Sequence, residues 1–184
     1  MKVADYIINY LSDIGIQDVF VVYGAANGDL IDAFTRNDKI RYIAVMHEQG
    51  GGFAAEGYSK VKDEIGVAIA TSGPGGMNFV TPIGNCYYDS VPCLFITGQI
   101  NSQFMRPNKS IRQVGFQETD IVNIVKPITK YAKMITGEKW ITENCDLTVI
   151  EMENYTHDMS YDLPIKPSPN LPNAKSINLY PSLC

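Results

Sequence analysis

Histidine is scarce in this chain: His47 and His157 are the two among 184 residues. The four cysteines, Cys86, Cys93, Cys145 and Cys184, form no C-x-x-C pair. Both features argue against a zinc site, and no metal ligand is expected in these residues. No block of lysine and arginine stands out, and the formal net charge is -5. Nucleic acid is therefore not an expected partner. There is no apolar run of membrane-spanning length, and no membrane partner is expected. The N-terminal "MKVADYIINYLSDIG" has acids in its apolar run and no small-residue cleavage site, so it reads as an amphipathic helix. With scattered thiols, this predicts a cytoplasmic protein. Neither G-x-x-x-x-G-K-[ST] nor G-x-G-x-x-G occurs, which removes both common nucleotide fingerprints. Ser72 is outside any G-x-S-x-G elbow. No internal repeat is visible.

The composition that remains is that of an ordinary globular domain, 45% hydrophobic and 19% charged. Up to about residue 135 two periods alternate. Val3, Ile7, Leu11 and Ile14 share a helical face. Short apolar strands are predicted at 18–22, 40–46, 66–71, 93–97 and 128–135. Helices are predicted at 28–36, from 47, at 76–89 and at 118–125, with a loop carrying one basic cluster over 101–115. Strands apolar on both faces, alternating with helices, imply an α/β fold. Its core is a doubly wound parallel sheet with helices on both faces. The composition then shifts. Five of the ten prolines, Pro164, Pro167, Pro169, Pro172 and Pro181, follow residue 163. "DLTVIEM" (146–152) could form a strand, but the rest cannot hold a ladder or helix for long. Two units are expected, 1–135 and a proline-rich, irregular tail 136–184, which should be loosely held.

Three short motifs carry chemistry. "HEQGGGFAAEGYSK" (47–60) ends a strand on Glu48 and then spends three glycines in a helix, each costing about 1 kcal/mol against alanine. Gly50, Ala54 and Gly57 form one small face, and Gly51 and Ala55 another, so close approach by some group is expected. Glu48 would lie at the C-terminal end of a parallel strand, where ligands bind. A carboxylate favoured by the helix dipole is the plainer reading. "TSGPGGMN" (71–78) joins a strand to a helix and can present backbone N–H groups to an anion, or serve as a tight turn. "VGFQETD" (114–120) places Gln117 and Glu118 at a loop-to-helix junction. Glu118 and Glu56 read as solvated helix acids.

Taken in order, "VFVVYGAANGDLIDAF", "HEQGGGFAAEGYSK", "GVAIATSGPGGMN", "YYDSVPCLFITGQ" and "QVGFQETDIV" resemble the N-terminal pyrimidine-binding domain of thiamine diphosphate enzymes. The similarity is greatest to the acetolactate synthase and 2-oxoacid decarboxylase group, a set of transferases and lyases. The resemblance covers about 1–135 and implies thiamine diphosphate, held here by its pyrimidine end only, and a small 2-oxo acid substrate. It implies that Glu48 shares a proton with N1′ of the aminopyrimidine and so activates the cofactor's thiazolium carbon. It implies a catalytic, substrate-side place for Gln117 and a cofactor-binding place for Gly24, Gly73, Asn78 and Phe116. His47 takes a more structural role. A site built across a homodimer, or with a separate diphosphate-binding domain or subunit, follows. What approaches the glycines is then a cofactor ring and a partner's helix.

In that family the diphosphate domain carries a G-D-G segment that holds Mg²⁺. No G-D-G occurs in these residues, so an incomplete enzyme, inactive alone, is expected. The tail, through "CDLTVI", "KPSPNLPN" and "LYPSLC", resembles a fragment of exo-acting N-acetylmuramidases. Two alternative functions stay open on the sequence: part of a cell-wall muramidase, and a non-catalytic nucleotide-binding α/β module.

Overall fold

The computed structural model describes residues 2–135 with their side chains and the backbone of 147–152. Helix α1 (Val3–Asp13) leads to β1 (Asp18–Val21), α2 (Gly28–Phe34), β2 (Arg41–Ala44), α3 (Glu48–Lys62) and β3 (Gly66–Ala70). Two helices follow, α4 (Pro74–Met77) and α5 (Val80–Asp89), then β4 (Cys93–Gly98), α6 (Ile121–Val125), β5 (Tyr131–Ile135) and β6 (Leu147–Met152). The strands form one sheet in the order β2-β1-β3-β4-β6-β5. The predicted helix over 76–89 is split, with a break at Asn78 and Phe79, and 118–120 are loop.

Strands β1 to β4 are parallel, with Val19 beside both Tyr42 and Val67, and Val67 beside Leu94. Alternation on these strands decides the two faces. Val67, Ile69, Leu94 and Ile96 point to α1 and α2, where Ile8, Leu11 and Leu30 complete one core. Ala68, Ala70, Cys93 and Phe95 point to the other side, where Ala55, Phe79, Ile83, Ile121 and Val125 close a second core. Each large apolar side chain so buried contributes about 1.5–3 kcal/mol. The doubly wound α/β reading holds. Strands β3 and β4 are buried throughout, as their apolar runs imply, whereas all four residues of β2 are exposed because that strand is an edge. Among the described residues no helix is long and apolar enough to cross a membrane.

Strand β5 points the same way as β1–β4 yet does not touch them. Strand β6 lies between β4 and β5 and runs against both, with Cys93 opposite Met152 and Ile135 opposite Leu147. The reason is chain length. A parallel neighbour needs a crossover of about a dozen residues or more, usually with a helix. Eleven residues separate β5 from β6, and an antiparallel pair is the arrangement that a short connection permits. The predicted strand at 146–152 is therefore present in the sheet; the rest of the expected tail unit, 136–184, lies outside the described residues.

The glycines of α3 separate into two groups. An ideal Cβ on Gly52 would collide with the Pro82 ring of α5 and sit 3.2 Å from Phe95 Cε1. The group that approaches this face is therefore the chain's own α5 and β4. A Cβ on Gly57, in contrast, would meet nothing within 4 Å, and the same is true of Gly50. Glu56, on the packed side, is a correction to the reading of a solvated acid. It is buried and accepts hydrogen bonds from Asn85 Nδ2 of α5 at 2.8 and 2.9 Å and from Lys60 Nζ at 2.5 Å. That pairing, with Asp89 as second partner, raises the Lys60 pKa above its ordinary value. Buried free thiols at Cys86 and Cys93 complete this layer; the hydrogen bond to Cys86, then burial, pushes the Cys93 thiol far up, so it stays protonated.

Gly52→Ala is expected to cost about 1–3 kcal/mol through overpacking. Gly57→Ala should instead stabilise the isolated chain by up to about 1 kcal/mol. Urea titration of the two variants checks the sign of each. A second expectation concerns alkali. Tyr58 packs on Phe20 and donates to Glu64 Oε2 at 2.9 Å. Burial, then the Glu64 bond, raises its phenol from 10.0 to about 12. The folded state holds this proton more tightly than the unfolded chain. The resulting stability is whole below pH 10 and is lost as pH rises toward about 12. Tyr58→Phe should flatten that part of the stability curve, which denaturation at stepped pH would show.

Candidate functional site

The parallel strands bring their C-terminal ends to one edge of the sheet, and every candidate residue lies in a loop or helix start at that edge. After β1, Asn27 is buried and ties its turn: it accepts from Gly24 N–H at 2.8 Å and donates to Val22 O at 2.9 Å. Ala26 N–H then donates to Thr71 Oγ1 at 3.3 Å, joining the β1 turn to the end of β3. Gly24 is thus held against Thr71, with Tyr23 beside it largely exposed.

After β2, His47 occupies the N-cap of α3, its Nδ1 accepting from Gln49 N–H at 3.2 Å. This is the structural role expected of it. Glu48 begins the helix, half-buried, where the helix dipole favours negative charge. Its Oε2 accepts from Asn78 Nδ2 at 2.9 Å. Its Oε1 faces the backbone of Gly75, where an added Cβ would stand 3.3 Å away.

The loop after β3 takes a positive φ at Gly73. Gly73 has φ 57° and ψ -119°, and a Cβ there would collide with Gln117 O and lie 2.7 Å from Gln117 Cβ. Gln117 itself has φ 60°, uncommon for a residue other than glycine. Two loops, one after β3 and one before α6, therefore meet backbone to backbone, and glycine at 73 permits it. Between them opens a cleft of about 500 Å³, lined by Pro74, Met77, Asn78, Gln113, Phe116 and Gln117, among others. Phe116 is 80% exposed and forms its rim.

Glu118 is the second correction. It is no solvated helix acid: its side chain is 4% exposed, and it lies in the loop ahead of α6. Its two oxygens accept from the backbone N–H groups of Arg106 at 2.8 Å and Val114 at 2.9 Å. Arg106 in turn reaches Asp120 at 2.9 Å, and Asp120 caps α6 by accepting from Asn123 N–H. Gln99, also buried, donates to Thr119 O at 2.8 Å. This set of bonds fixes the loop that carries Phe116 and Gln117.

The structure thus links all the candidates. Gly24 rests on Thr71, Thr71 on Gly75, and Gly75 on Glu48. Glu48 bonds to Asn78, and Asn78 lines the cleft with Phe116 and Gln117, whose backbone meets Gly73. Sequence reasoning missed Thr71, Gly75, Gln99 and the role of Glu118. Gly75 was visible as one of a run of glycines; the others carry no local signal, because their partners are distant in the chain.

The family described as thiamine pyrophosphate enzyme, N-terminal TPP binding domain, matches residues 1–124, and the chain belongs to that family. It is 40% identical over 132 residues to acetolactate synthase 2, chloroplastic, of Brassica napus, covering 72% of this chain and 20% of that protein. It is 41% identical over 137 residues to the acetolactate synthase large subunit of Corynebacterium glutamicum, covering 74% and 21%. For acetolactate synthase, chloroplastic, of Arabidopsis thaliana the identity is 40% over 134 residues, 73% and 19%. The chain spans about a fifth of the length of these relatives. A second family, exo-beta-N-acetylmuramidase NamZ, N-terminal, matches residues 108–175; this is the family that the tail resembles, but the match begins inside the thiamine-family match and ends before "LYPSLC".

Replacing Glu118 by alanine strands two backbone N–H groups and should cost about 1.5–3 kcal/mol. Trypsin should then cut at Lys109 and Arg112 faster than in the parent chain, while Lys60 within α3 stays protected. Mass mapping of the early fragments checks this.

Proposed function

We propose that residues 1–135 form the pyrimidine-binding half of a thiamine diphosphate site that acts on a small 2-oxo acid, as an acetolactate synthase-like transferase or lyase. The observation that carries this reading is Glu48. It stands at the C-terminal edge of the sheet with one oxygen committed to Asn78 and the other beside a glycine backbone. That donor set fits the aminopyrimidine: a carboxylate able to share a proton, next to a surface without a Cβ. When bound, the cofactor supplies a carbon nucleophile and a sink for the electrons released with carbon dioxide. Glu48 holds and exchanges a proton at N1′. Gly24, Gly73 and Asn78 border the cofactor, and Phe116 and Gln117 stand at the substrate side. The diphosphate and Mg²⁺ are held by residues outside these 184, so this polypeptide by itself is inactive. The match over 108–175 supports a muramidase-like origin for the segment after residue 135; no catalytic residue is carried over with it.

The diphosphate-binding half comes from a separate domain or subunit, and a second copy of this chain pairs with the first along α3. The outer face of α3 supports this. Gly50 and Gly57 are open, Phe53 and Val61 are exposed, and Met46 beside them is fully exposed. A partner helix can approach such a face to backbone distance.

The chain alone, given thiamine diphosphate and Mg²⁺, should show no decarboxylation of 2-oxo acids. Supplied in trans with an acetolactate synthase diphosphate-binding domain, it should turn over. Glu48→Gln should then lower the rate by about 10²–10⁴-fold, because glutamine cannot exchange the proton. Asp38, exposed and remote, is the control; its asparagine variant should stay within a few-fold. Equal behaviour of the two variants would remove Glu48 from the mechanism, and turnover by the chain alone would refute the missing half.

A further inference from the structure

We infer that Asn78 is a positioning residue for Glu48: its amide commits one carboxylate oxygen and so turns the other toward the Gly75 backbone. The inference rests on the reading of Glu48 above and changes what Asn78 is for, from a group touching the cofactor to one acting through the carboxylate. A free glutamate carboxylate rotates and offers either oxygen in many directions. Here, among the described residues, Asn78 Nδ2 is the donor that holds it, at 2.9 Å and across 30 positions of sequence. The donor is itself fixed. Its backbone N–H is bonded to Pro74 O at 3.0 Å, and the next residue, Phe79, is buried with its ring 5.1 Å from that of Phe95. Asn78 also lines the cleft with Phe116 and Gln117, so one side chain joins the carboxylate to the substrate side.

The other half of the device is Gly75. A Cβ there would lie 3.3 Å from Glu48 Oε1 and 2.9 Å from Thr71 Cγ2. Any side chain at 75 would crowd the uncommitted oxygen. A fixed donor on one oxygen and a residue without a Cβ beside the other together favour a single lone-pair direction, which a group exchanging a proton with a ring nitrogen requires.

The test begins on the full, ligand-free chain by NMR. Glu48→Gln should shift both side-chain amide proton resonances of Asn78, because a charge-assisted bond becomes a neutral one. Asn78→Leu should move the Glu48 side-chain carboxyl carbon signal and broaden it, with the thermal midpoint unchanged. With the diphosphate-binding domain supplied, Asn78→Leu and Asn78→Asp should each lower kcat by about 10–100-fold, the worth of a bond to a charged group, with KM for the 2-oxo acid unchanged. Asn78 resonances unmoved by Glu48→Gln overturn the inference, and that measurement decides even if Asn78→Leu fails to fold. Loss of activity in Glu48→Gln with full activity in a folded Asn78→Leu also overturns it, while leaving the reading of Glu48 intact. The reverse, a coupled resonance pair with Glu48→Gln fully active, removes the catalytic consequence and fails both.

Discussion

The fold depends on how closely α3 lies to its neighbours. Gly52 admits the ring of Pro82, and Gly66, at the start of β3, admits the carbonyl of Ala55 so tightly that no Cβ fits there. A helix with ordinary side chains at these contacts would stand farther from the sheet. Glu48 is the first residue of α3, so the same contacts set where its carboxylate falls over the strand ends. Packing in the middle of the helix and chemistry at its start are one arrangement.

Three acids of similar appearance do three different things around this helix and the cleft beside it. Glu56 ties α3 to α5 through Asn85 and Lys60. Glu118 holds two backbone N–H groups of the loop that carries Phe116 and Gln117. Glu48 has one oxygen bonded to Asn78 and the other beside the backbone of Gly75. Burial of a carboxylate is costly unless its lone pairs are met. Glu56 and Glu118 meet theirs within the chain. Glu48, half-buried, has one bond to a distant side chain, from Asn78.

The sheet also spans both family matches. The two family matches overlap at 108–124, ahead of and within α6. Strand β6, well past the thiamine-family match, nonetheless takes all its ladder bonds from β4 and β5. Backbone hydrogen bonding needs no particular side chains, so an apolar strand of any ancestry can fill the slot beside β4. Its direction is the one that a short connection permits.

Much of this was legible in the order of residues. Apolar runs of β3 and β4, the helix start at Glu48 and the strand at 147–152 are local patterns, and periodicity reports them directly. The exposure of β2 was not legible, because an edge and a centre strand can share one composition. Nor were the partners of the acids: Glu56 and Glu118 sit in polar stretches that look solvated until α5 and Arg106 are folded over them. By itself the sequence determined the element types, the doubly wound order and the place of Glu48 at a strand end, because these depend on neighbours within a few positions. Tertiary structure alone decided that Asn78 meets Glu48, that Gly73 meets Gln117, and that the glycines of α3 serve the chain's own packing on one face and stand open on the other. Each of those is a contact between segments tens of residues apart, and its existence depends on distances that only the closed sheet imposes.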